Sequence, residues 1–137
     1  MMYVTRREHF NAAHKVYNPA WDDAKNQEVF GGCANPNWHG HNYILYVTVK
    51  GDINTETGFV VDLKKLSQLI RLQIIDKVDH KNFNLDVPFL KDVLPSTENV
   101  VVVFWKILEK PIADMGCKLH CIKLQETENN YAEYFGE

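Results

Sequence analysis

His39–Lys50 reads HGHNYILYVTVK, a run in which β-branched and aromatic residues succeed one another almost without interruption. That composition suits a pleated, half-buried strand. Because side chains alternate across a strand, His39 and His41 point to one face, where each imidazole can offer a nitrogen to a metal ion at about 2.0 Å. The following GDINTETG carries hairpin-turn chemistry, and Phe59-Val60-Val61 after it is predicted to be a short strand.

Upstream, Tyr3 to His14 mixes aromatic, β-branched and polar residues and predicts another strand, with Phe10, Ala12 and His14 on one face. Between these strands, Val16 to Asn37 holds two prolines, a Gly-Gly pair and several Asn and Asp, and is expected to be a long loop. Downstream, Asp62 is a plausible N-cap for a helix running to about Asp79, since Leu63, Leu66, Leu69, Ile70, Ile74 and Val78 recur on one helical face. A second helix is expected from Ser96-Thr97-Glu98-Asn99 to near Leu108, although Val100–Val103 alone would also suit a strand. KLHCIKLQE (118–126) alternates, Asn129-Asn130 turns, and YAEYF closes with a last strand. The order β-β-α-α-β-β predicts an α+β domain over residues 1–137, with an antiparallel four-stranded sheet carrying two helices on one face.

The 137 residues are 45% hydrophobic and 24% charged, enough for one core. A net charge of -3 and a pI near 6.1, with no Lys/Arg-rich run, argue against nucleic acid as the partner. The longest apolar run, Val100 to Trp105, is too short for a membrane span, and MMYVTRREHF carries no signal-peptide core, so a cytoplasmic protein is expected. Three cysteines make a disulfide framework improbable and leave thiols free for chemistry.

Several residues admit more than one role. His14 could join His39 and His41 if the two strands pair, giving three imidazoles and an open position, as in catalytic zinc sites; surface histidines would be the plainer alternative. Cys33 could be a fourth ligand, a buried small hydrophobe, or a nucleophile or base, the last needing a nearby cation or dipole to favour thiolate. Asp79-His80 could be an acid/base dyad or helix-end chemistry, and as a dyad it requires a turn. Glu126 could accept two N–H bonds from the guanidine-like edge of a heterocycle or be a solvated charge, while Thr97 and Glu98 are either helix-start residues or ligand contacts. Cys117 and Cys121 are expected to be core cysteines on a shared face, with His120 on the other.

FNAAH, FGGCANPNWHGHNY, TGFVVDL, DHKNFNLDVPF, STENV and QETENN occur in the order and spacing of the 6-pyruvoyl-tetrahydropterin synthase family, which the chain resembles over nearly its whole length. The resemblance implies zinc on His14, His39 and His41, a catalytic thiol at Cys33 and acid/base partners at Asp79 and His80. It also implies a pterin-anchoring carboxylate at Glu126, with Thr97 and Glu98 as further pterin contacts. It implies the tunnelling fold, a homohexamer of two stacked trimers with sites between subunits, and a pterin triphosphate substrate. Cys33 stands six residues ahead of His39, as in the pyruvoyl-forming enzymes; the queuosine-pathway 6-carboxy-tetrahydropterin synthases usually have a shorter gap. A binding module without turnover is the other alternative. One residue departs from the family pattern: Trp38 occupies a position where a small residue, often glycine, is expected before HGH.

Overall fold

The computed structural model describes all 137 residues. Five strands, β1 (Met2–His14), β2 (His39–Gly51), β3 (Lys81–Asn82), β4 (Lys118–Gln125) and β5 (Tyr131–Tyr134), form one sheet in the order β3-β1-β2-β4-β5. Three helices accompany them: α1 (Asp23–Phe30), α2 (Leu63–Ile70) and α3 (Thr97–Ala113). The α2 axis continues through a π turn at Arg71–Ile75 into a last helical turn at Asp76–Val78.

The α+β class is as expected, but the four-stranded antiparallel sheet with two helices is corrected to a five-stranded mixed sheet with three. Strands β1, β2, β4 and β5 pair antiparallel, whereas the two-residue β3 adds to the free edge of β1 in parallel. Phe59–Val61 is not a strand. Both edges of β2 are already occupied, by β1 and β4, so the segment returning from the turn has no ladder to join. It closes its own turn instead, Gly58 N–H donating to Asn54 O, and delivers Val61 to the core just before the Asp62 cap. The region expected to be entirely loop contains α1, whose cap is Asp22 accepting from Lys25 N–H at 2.8 Å.

The core lies between one face of the sheet and α2 and α3. Phe10, Tyr43, Leu45, Val47, Ile122 and Leu124 supply the sheet side, and Leu66, Ile70, Ile74, Val100, Phe104 and Leu108 the helical side, all but completely buried. Ser96 Oγ caps α3 by accepting from Asn99 N–H, which resolves the Val100–Val103 ambiguity in favour of helix. Within this interface Glu8 is buried but fully partnered: Ser67 Oγ donates at 2.7 Å, Arg6 Nε at 3.0 Å and Arg71 Nε at 3.4 Å.

Two irregularities matter for the cysteines and for the histidine strand. The β2–β4 register shifts between Thr48 and Val49, which pair with Cys121 and Leu119 and leave His120 as the bulged residue. Cys117 and Cys121 are both buried and free, but they do not share a face as predicted: Cys117 joins the core, while Cys121 sits opposite Thr48 on the other side of the sheet. Trp38, just before β2, has φ +67°, in the left-handed region that glycine occupies without cost. That backbone explains why a small residue was expected there, and the indole takes a cation–π position 4.9 Å from Lys15 Nζ.

Candidate active site

The pairing of β1 with β2 is what assembles the histidines. Its register sets His14 opposite His39 and Ala12 opposite His41, so period-two alternation turns all three rings to the helix-covered face. Ring centroids lie 4.5 to 5.1 Å apart, and the candidate ligand nitrogens are all within 4.8 Å of one another. His14 Nδ1 is 2.8 Å from Pro95 O, and as the donor in that bond it keeps its proton and leaves the Nε2 lone pair facing the cluster. Burial holds the pKa of both His14 and His41 below the usual histidine value, which favours the neutral, ligating form.

His14 Nε2, both ring nitrogens of His39 and His41 Nε2 are buried without a hydrogen-bond partner. Buried polar atoms are rarely left so, and three imidazoles converging this way fit a metal ion. The cluster contains no thiol. Cys33 is exposed, in a short 3-10 turn at Gly31–Ala34 that Val16 N–H fastens to the end of β1 through Cys33 O at 2.8 Å. The fourth-ligand and buried-hydrophobe alternatives for this thiol are therefore both set aside.

Glu126 follows β4 directly, with its carboxylate turned toward the cluster: Oε1 is 3.6 Å from His41 Nε2 and Oε2 3.9 Å from His14 Nε2. Thr97 Oγ1, in the first turn of α3, donates to Glu126 Oε2 at 2.8 Å. Thr97, Glu98 and Glu126 line one cavity of about 350 Å³, together with Val16, Ser96 and Asn130. The first turn of α3 and the residue after β4, far apart in sequence, thus meet beside the histidines.

Asp79-His80 occupies a turn, as an adjacent dyad must, with His80 at φ +62°. Asp79 Oδ1 accepts from Asn11 N–H at 2.9 Å and lies 3.0 Å from His80 Nδ1. The Asn11 bond, followed by His80, holds the Asp79 carboxyl below its usual pKa. His80 is well exposed and lines a depression with Asn11, Ala13, Gly40, His41 and Asn42, and this depression does not include Cys33. The structure of one chain therefore brings the three histidines, Glu126, Thr97 and Glu98 together, and the dyad meets this group only through His41, which borders the same depression as His80. Pro95 as the acceptor for His14 was not foreseeable, because a backbone carbonyl leaves no mark in the sequence. Asn84, whose side chain bonds both backbone groups of Lys15 at 3.0 Å, lies within the DHKNFN segment but has no spacing that would single it out.

Residues 3–137 match the family model for 6-pyruvoyl tetrahydropterin synthase. A Pongo abelii protein named 6-pyruvoyl tetrahydrobiopterin synthase is 44% identical over 134 residues, covering 98% of this chain and 91% of that one. The solved structure of Caenorhabditis elegans 6-pyruvoyl tetrahydropterin synthase superposes with a TM-score of 0.92 at 34% identity, covering 99% of this chain and 96% of the other. An Aquifex aeolicus protein named 6-carboxy-5,6,7,8-tetrahydropterin synthase is 31% identical over 160 residues, covering 96% of each. The chain belongs to the 6-pyruvoyl tetrahydropterin synthase family, and with it to the lyases. Within that family its identity is higher to the relative named for the pyruvoyl product than to the one named for the carboxy product. No helix is long and apolar enough to cross a membrane.

Proposed function

We propose that the chain converts 7,8-dihydroneopterin triphosphate to 6-pyruvoyl-tetrahydropterin with release of inorganic triphosphate, as a zinc-dependent cytoplasmic enzyme. The observation that carries this reading is the set of buried, partnerless imidazole nitrogens converging beside the cavity of Thr97, Glu98 and Glu126. His14, His39 and His41 would hold zinc, which supplies Lewis-acid polarisation of the hydroxyl oxygens on the pterin side chain. Pro95 fixes the His14 tautomer this requires. Glu126, Thr97 and Glu98 bind the pterin ring. Cys33, as thiolate, takes a carbon-bound proton of the side chain, and His80, oriented by Asp79, carries protons to and from the intermediates.

His80 is anchored by its N–H on Asn11 O, whereas Cys33 is held through its carbonyl by Val16 N–H, five residues further along the chain; this supports a homohexamer, a dimer of trimers with sites between subunits, in which a second copy offers its dyad to this Cys33. The test is incubation of the metal-loaded protein with 7,8-dihydroneopterin triphosphate, followed by product mass and triphosphate release. A 6-pyruvoyl product is expected. A 6-carboxy product with acetaldehyde would move the chain to the queuosine-type reaction, and stoichiometric pterin binding without triphosphate release would make it a binding protein.

A further inference from the structure

The two Glu126–histidine distances, 3.6 Å and 3.9 Å, are too long for hydrogen bonds. On His14 no such bond is available in any case, because the ring proton is used at Pro95 and Nε2 presents a lone pair. A carboxylate oxygen facing an imidazole lone pair is unfavourable unless a cation stands between them. Atoms bound tetrahedrally to one ion at about 2.0–2.2 Å are separated by about 3.3–3.5 Å. Oε1 stands at nearly that spacing from His41 Nε2, whereas the oxygen nearest His14 is Oε2, at 3.9 Å, so the carboxylate lies just outside the three-histidine group and would turn slightly to share its ion. The carboxylate also has the outer contact that metal-bound carboxylates use, the Thr97 hydroxyl on Oε2. Glu126 at the same time lines the cavity shared with Glu98, so one short side chain lies within reach of both the histidine cluster and the pocket.

We infer that Glu126 is a displaceable fourth ligand of the metal site. Its carboxylate completes the donor set of His14, His39 and His41 while the pocket holds no pterin, and it turns to the N–H edge of the heterocycle when the substrate's hydroxyl oxygens take its place. The resting site is then closed to adventitious small ligands by a group that the correct substrate itself draws away. This inference rests on the metal and pterin readings above and adds a residue exchange to them. No covalent or redox step is involved, only the exchange of one oxygen donor for another.

The test uses the full-length protein, stripped with chelator and reloaded with Co²⁺, whose visible absorption reports its donors. Glu126→Gln is expected to weaken Co²⁺ binding at least about 10-fold and to change the absorption bands. Adding 7,8-dihydroneopterin to the unmodified protein is expected to change the bands too, by removing the same donor. Thr97→Val, which keeps the carboxylate but removes the hydrogen bond that aims it, is expected to weaken binding less than Glu126→Gln, and it provides a second readout if Glu126→Gln folds poorly. Failure of the unmodified protein to take up Co²⁺ overturns the metal reading as a whole. Uptake with unchanged affinity and spectrum in Glu126→Gln, or in Thr97→Val should that be the only folded variant, overturns this inference alone.

Discussion

Trp38→Gly and Trp38→Ala, compared with each other, isolate the backbone at the residue before the candidate ligand His39. Both remove the indole and its cation–π contact with Lys15, so those losses cancel in the comparison. What remains is φ +67°. A residue bearing a Cβ loses about 1–2 kcal/mol in the left-handed region, a cost that glycine does not carry. Glycine loses more chain entropy on folding, about 0.4–1 kcal/mol relative to alanine. The difference leaves Trp38→Gly more stable than Trp38→Ala by about 0.5–1 kcal/mol, the reverse of the order at an ordinary position. For a chain of this size that corresponds to a Tm higher by about 2–4 °C. Thermal and urea unfolding at matched protein and metal concentration would measure it. Alanine equal to or more stable than glycine would refute the argument that left-handed backbone, rather than side-chain packing, sets the preference at this position.

Three further outcomes are expected. Cys33→Ala should fold and load metal normally, since the thiol is exposed and outside the histidine cluster, while product formation falls at least about 100-fold; near-normal turnover would remove it as the base. Ser67→Ala leaves the buried Glu8 carboxylate short of a 2.7 Å donor and should cost about 1–2 kcal/mol in urea unfolding, and a neutral result would mean that Arg6 and Arg71 suffice for Glu8. Asp79 has its folded pKa depressed, so its contribution to stability is present above the unfolded value of 3.8 and is lost as pH falls through the folded one. The stability gap between the unmodified protein and Asp79→Asn, about 1 kcal/mol at neutral pH for an exposed charge-assisted bond, should therefore close in that acid window, and a gap independent of pH would count against it.

The strands that build the site were legible because their period-two patterns are long: β1 and β2 each run 13 residues, and alternation alone places His39 and His41 on one face. The helix from Asp62 was legible through its apolar stripe. Strand β3 was not, because two residues carry no period, and Lys81–Asn82 is a strand only by virtue of the free edge that β1 presents. Helix α1 was missed for the opposite reason: DAKNQEVF has no apolar stripe, and its one buried residue is Asn26, whose side chain bonds the backbone of Asn18 and Asp22. Phe59–Val61 has the composition of a strand but lacked a partner. In the site, residue types at short spacing located the histidines, whereas the direction of the Glu126 carboxylate and the different anchor points of His80, at Asn11, and of Cys33, at Val16, depend on tertiary placement that spacing does not encode.

The unpartnered imidazole nitrogens have a consequence outside catalysis. Each buried polar atom left unsatisfied costs about 1–3 kcal/mol, a large fraction of the margin by which a domain of this size stays folded. An ion taken up at His14, His39 and His41 would therefore also stabilise the fold, by an amount that grows with free metal concentration. In a metal-starved cell the apo chain would be unfolded more often and exposed to proteases, so scarcity of the ion would lower the amount of the protein as well as its activity.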